Sequence, residues 1–86
     1  MKVYSIKFDR NFLKEMKKVP EFMRGQLDSA IKSLSKDPRP NGCKKLKGKL
    51  DAYRIRVAEY RVVYEINDKS IFVFIVRIGH RKDVYD

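Results

Sequence analysis

Tyr53-Arg54-Ile55-Arg56-Val57-Ala58-Glu59-Tyr60-Arg61-Val62-Val63-Tyr64-Glu65-Ile66 reads as two β-strands joined by a tight turn at Ala58-Glu59. Tyr53, Ile55 and Val57 alternate with Arg54, Arg56 and Ala58, and Tyr60, Val62, Tyr64 and Ile66 alternate with Arg61, Val63 and Glu65. A period of two marks a half-buried strand, because successive side chains leave opposite faces. Asn67-Asp68-Lys69 supplies the next turn, and Ile71 to Ile78 is apolar on both faces, as a central strand requires. Connections this short make the strands antiparallel neighbours, since a parallel crossover needs about a dozen residues or more. Gly79 is expected to release the chain into a short polar tail.

Upstream the period is different. Asp37-Pro38-Arg39-Pro40-Asn41-Gly42 is a dense run of breakers, and before it the apolar residues recur at helical spacing. Met23, Leu27, Ala30, Ile31 and Leu34 form one stripe of an amphipathic helix that begins at Pro20 or Glu21. Phe12, Leu13 and Met16 mark a shorter helix with Asp9 as its expected N-cap, and Val3 to Phe8 reads as an opening strand. The predicted fold is α+β: a strand, two helices, then an antiparallel meander of at least three strands, with the helices on one face. Residues 1–86 make one domain.

Charge narrows the function. The 21 Lys and Arg residues outnumber 11 Asp and Glu, giving a net charge of +10. Half of that excess lies between Lys44 and Arg61, where Lys44, Lys45, Lys47, Lys49, Arg54, Arg56 and Arg61 face only Asp51 and Glu59. Such a field attracts phosphate backbones, acidic protein segments or anionic lipid. The single Cys43 excludes an internal disulfide, and one His with one Cys makes no structural zinc site. No glycine-rich phosphate loop, signal peptide or membrane-length apolar run is present, so the expectation is a cytoplasmic protein without cofactor or metal.

Arg54 and Arg56 leave the same face of one strand, and Arg61 joins them if the buried faces of the two strands match. Two readings fit this spacing: a clamp for a phosphate, which the planar guanidinium fork suits, or the ordinary solvent-facing residues of a one-sided sheet. Gly79-His80-Arg81-Lys82-Asp83-Val84-Tyr85 then brings the only His, another Arg and a Tyr to the end of the central strand. Imidazole titrates near neutrality and a phenol accepts or gives a proton, so His80 and Tyr85 suit proton transfer in RNA backbone cleavage. There the ribose 2′-hydroxyl attacks the adjacent phosphate, and arginines stabilise the charge that develops.

Lys45-Leu46-Lys47-Gly48, Tyr53-Arg54-Ile55-Arg56-Val57, Glu59-Tyr60-Arg61-Val62-Val63-Tyr64 and Gly79-His80-Arg81-Lys82-Asp83-Val84-Tyr85, in this order, resemble the running pattern of the RelE/ParE toxin superfamily. The resemblance spans the chain and implies two helices on a mainly antiparallel sheet. For the RelE type it implies cleavage of messenger RNA in the ribosomal A site and a cognate antitoxin protein as partner. Carried over, Arg54 and Arg56 hold phosphate with Lys45, Lys47 and Lys49 behind them. Arg61 completes the phosphate clamp, Tyr85 is the candidate base and Arg81 a candidate proton donor or charge stabiliser; an arginine is a poor acid, and His80 beside it is the alternative donor. Familiar RelE proteins carry lysines where this chain has Arg54 and Arg56. The ParE type shares the fold but acts on DNA gyrase without nuclease chemistry, and a member that only binds RNA or antitoxin is the third possibility.

Overall fold

The computed structural model describes residues 2–48, 51–80 and 82. Its elements are β1 (Ser5–Phe8), α1 (Phe12–Lys17), α2 (Glu21–Ser33), β2 (Lys44–Lys45), β3 (Ala52–Val57), β4 (Tyr60–Asn67) and β5 (Phe72–His80). They build one five-stranded sheet in the order β1-β5-β4-β3-β2. The pairs β5–β4, β4–β3 and β3–β2 are antiparallel, as the short connections require, whereas β1 runs parallel to β5. The crossover between β1 and the rest of the sheet carries both helices, which places them together.

Burial follows the predicted stripes. Met23, Leu27, Ile31 and Leu34 pack onto Tyr53, Ile55, Val62, Tyr64, Ile66, Val73, Ile75 and Ile78, so helices and sheet share one core on one face of the sheet. The cross-strand pairs Ile55–Val62–Ile78 and Tyr53–Tyr64–Ile75 are successive rows of that face. Arg24 ties the two helices together: its guanidinium donates to the carbonyls of Val19 (3.0 Å) and Lys17 (3.1 Å), which the end of α1 leaves without helical donors.

Several boundaries differ from the sequence reading. Asp9 is not the N-cap of α1; Asn11 occupies that position. The Asp9 carboxylate instead accepts the Asn11 N–H at 3.0 Å while its carbonyl accepts that of Phe12 at 2.9 Å, a side-chain turn that feeds the helix. The opening strand begins at Ser5, leaving Val3 exposed, and Leu13 is 70% exposed because a six-residue helix buries only the Phe12–Met16 side. Ile71 belongs to the turn, with a left-handed φ of 55°. Gly79 does not end β5, which continues to His80, the partner of Tyr60.

One irregularity decides what β5 presents. Val63 pairs with Arg77 but Tyr64 pairs with Ile75, so Val76 is an extra residue and β5 carries a bulge there. Before the bulge Val73 and Ile75 face the core; after it the phase switches and Ile78 does. A regular strand would have driven Arg77 into the core in phase with Val73 and Ile75. The bulge turns it outward.

At the opposite end of the sheet a polar network closes the breaker loop. Arg39 pairs with Asp68 at 2.8 Å, donates to the Tyr53 hydroxyl at 3.1 Å and lies over the Tyr53 ring. Tyr4 donates to Asp68 at 2.7 Å, and the buried Tyr64 hydroxyl donates to the Pro38 carbonyl at 2.8 Å. Hydrogen bonds from Arg39 and Tyr4 hold the Asp68 carboxyl at a pKa of about 2, while burial, with the Cys43 thiol beside it, pushes the Tyr64 phenol up. A carboxyl depressed on folding stabilises above its unfolded pKa, about 3.9, and loses that contribution as pH falls toward 2. The melting-temperature gap between wild type and Asp68→Asn should therefore be constant above about pH 5 and close between about pH 4 and pH 2. A gap that persists at pH 2 would show that the carboxylate's charge is not what holds the loop.

Candidate nucleic-acid interface

The face of the sheet away from the helices carries the basic residues in two rows. Arg56 lies directly opposite Arg61, which lies opposite Gly79; one step along, Arg54 stands between Lys44 and Val63, with Arg77 beyond. The strand phases thus match as the spacing predicted, and Arg54, Arg56 and Arg61 share a face. They are not equally open. Arg56 is exposed, Arg61 half-buried and Arg54 only 8% exposed, so Arg54 is a wall of this surface and not part of its free rim.

The Ala58-Glu59 turn is what brings Arg56 and Arg61 together. It is two residues long, as predicted, with Ala58 in the left-handed region at φ 54°, a conformation found in tight hairpin turns. Like charges directly opposite each other across two strands destabilise a sheet. An anion between the two guanidinium groups reverses the sign of that interaction, because each fork can grip phosphate oxygens.

The other expected site residues distribute differently. Lys45 pairs with Tyr53, so its phase is that of the helix-side face, although it is exposed at the sheet edge. Its neighbour Lys44 takes the place in the Arg54 row. Lys47 is exposed in the loop before β3, while Lys49, Arg81 and Tyr85 lie outside the described residues. His80 stands in the row of Tyr60 and Val57, one residue from Arg61 and Gly79 but on the other side of the sheet. Its ring meets the edge of Tyr60 at 5.6 Å between centroids, and its Nδ1 accepts the Lys82 N–H at 3.2 Å, which leaves Nε2 to carry the proton.

Lys44 was counted in the basic stretch but not placed in the phosphate-holding set, because a strand of two residues is too short to show a period; Arg77 was missed, since it reaches the outer face only through the bulge at Val76. Glu15 was missed as well. Its carboxylate accepts the Ile78 N–H at 3.1 Å and approaches Arg77 Nε at 3.7 Å, so α1 anchors β5 beyond the last β1 pair, Phe8–Ile75. Among the described residues no group of three or more His, Cys, Asp or Glu side chains could hold a metal ion, and no helix is long and apolar enough to cross a membrane.

Sheet order, helix placement and the arginine face together define the RelE/ParE type of toxin fold. The profile described as ParE toxin of type II toxin-antitoxin system, parDE, matches residues 6–85, and the chain belongs to this family. It is 33% identical over 81 residues to the mRNA interferase toxin RelE of Escherichia coli K12, covering 92% of this chain and 84% of the relative. It is 35% identical over 83 residues to toxin RelE3 of Methanocaldococcus jannaschii, covering 92% of each. Its structure superposes on the crystal structure of the intact E. coli RelBE toxin-antitoxin complex with a TM-score of 0.78 at 33% identity, covering 90% of this chain and 95% of that one.

Proposed function

We propose that this protein is a toxin of a toxin–antitoxin pair that cleaves messenger RNA in the A site of the ribosome, in the cytoplasm, and that a cognate antitoxin restrains it. The observation that carries the proposal is the Arg56–Arg61 pair, two arginines directly opposite each other on the face of the sheet away from the helices. The names of the relatives, mRNA interferase RelE among them, point the same way. So does the toxin–antitoxin complex among the similar structures.

In this reading the scissile phosphate lies across Arg56 and Arg61, with Arg54, Lys44 and Lys47 extending the electrostatic track. Tyr85 takes the proton from the 2′-hydroxyl, whose oxygen bonds to phosphorus. The P–O5′ bond breaks, and the leaving oxygen takes up a proton from water, since His80 stands on the other side of the sheet from the arginine pair. Arg61 and Arg81 offset the negative charge on the phosphoryl oxygens as it builds. Lysine can release a proton and arginine cannot, so arginines at 54 and 56 confine that strand to binding and charge stabilisation. No metal takes part.

The chemistry predicts its own products. Cleavage by the 2′-hydroxyl leaves a 2′,3′-cyclic phosphate and a free 5′-hydroxyl, unaffected by a chelator. Labelling the new ends with polynucleotide kinase, with and without prior phosphatase, reads this directly. Ends that accept label only after phosphatase would rule out the mechanism. Arrested translation without new ends would favour the non-nuclease, gyrase-directed reading that the ParE name of the family suggests.

Arg56→Ala should lower the salt dependence of RNA binding, with the slope of log K against log salt falling by about 1. A slope that stays unchanged in filter-binding titrations would place Arg56 on a merely solvated face.

A further inference from the structure

The end of β5 carries a second recess that the phosphate-holding face does not use. It is an open cleft of about 240 Å³, lined chiefly by Glu15, Lys18, Val19, Tyr60, Arg77 and His80. It forms because β1 stops pairing at Ile75, leaving the last turn of α1 to close over the free edge of β5. Arg77 belongs both to the Arg54 row of the outer face and to the wall of this cleft, so the two surfaces are continuous around the strand edge.

We infer that this cleft is a nucleobase subsite, selective for bases that carry an exocyclic amino group. The inference deepens the RNA-cleaving reading and rests on it. Three features of the lining point to a base. The first is flat aromatic surface: Tyr60 and His80 meet edge to face, and such rings form stacking platforms for bases in single-stranded nucleic acid. The second is Glu15, a carboxylate in a cleft otherwise rimmed by Lys18 and Arg77. A pocket for phosphate or an acidic peptide gains nothing from a carboxylate, whereas an amino group donates to one. Each carboxylate oxygen has two acceptor sites, so Glu15 retains capacity beyond its contacts to Ile78 N–H and Arg77. The third is position. Arg77 lines the cleft and also stands in the Arg54 row of the outer face, so a nucleotide lying around the free edge of β5 places its phosphate toward the arginine face and its base in the cleft.

The test is an amide-resolved NMR titration of the full chain with AMP, CMP, UMP and ribose 5-phosphate in turn. AMP and CMP should shift Lys18, Val19, Ile78 and His80 saturably, and UMP about tenfold more weakly, the size of one lost charge-assisted hydrogen bond. Ribose 5-phosphate should shift only the residues around Arg56 and Arg61. Glu15→Gln, whose amide both donates and accepts, should narrow the gap between CMP and UMP. Should that variant unfold, Lys18→Met, which changes only an exposed side chain, should weaken all three nucleotides without changing their order. Equal binding of UMP and CMP by wild type would overturn the amino-group selectivity. Cleft shifts from ribose 5-phosphate alone, or from hexaglutamate but no nucleotide, would overturn the base subsite and make the cleft an anion or protein contact. Because the readout is binding, it stands apart from cleavage: nucleotide binding here with uncut RNA would sink the nuclease reading alone.

Discussion

Arg61→Ala should lower single-turnover RNA cleavage by about a hundredfold or more, the size of effect seen when one group is removed from developing phosphoryl or oxyanion charge. The same substitution should cost much less stability than the loss of a core side chain, because Arg61 faces away from the core. Loss of activity together with retained stability separates a functional arginine from a structural one. Arg61→Lys keeps the charge without the planar fork and should recover only part of the rate. Wild-type cleavage by Arg61→Ala would remove the arginine pair from the mechanism.

Leu27→Ala should have the largest effect on stability, a loss of about 2–5 kcal/mol. Leu27 is fully buried at the centre of the α2 stripe, where the helix lies on the sheet. In a chain of 86 residues each kcal/mol moves the melting temperature by about 4–8 °C, so the midpoint should fall by at least about 8 °C. Ala30→Gly or Leu13→Ala, at half-exposed and exposed positions of the helices, should cost much less. Denaturant unfolding of the three variants checks the order. A Leu27→Ala shift no larger than that of Leu13→Ala would mean that α2 does not hold the core.

Most of the fold was legible because period and punctuation agree. The change from helical spacing to alternation across Asp37 to Gly42 separates α2 from the meander, and both sides of that boundary stand as read. What failed to show was pairing that leaves no periodic mark. The parallel docking of β1 on β5 depends on contacts between residues some 67 positions apart, Ser5 with Phe72 for example, and leaves no mark in either segment. The two-residue β2 has no period to read.

The candidate site was legible to the extent that it obeys strand alternation. Arg54, Arg56 and Arg61 share a face because β3 and β4 are regular and their turn is short. Arg77 escaped notice because a bulge is invisible in an apolar run, where either phase looks equally good. His80 looked like the first residue of a tail, since glycine commonly ends a strand, yet its pairing with Tyr60 keeps it in the sheet and fixes its side. Glu15 had no signature at all. Its role exists only because β1 ends early and leaves the Ile78 amide to be met by α1.

The central claim, that the arginine face holds RNA for cutting on the ribosome, is tested most directly by primer extension on a defined message carried by programmed ribosomes. The wild-type protein should produce new 5′ ends within the A-site codon, absent when ribosomes are omitted and lost with Arg61→Ala. Unbroken message in the presence of active, folded protein would contradict it.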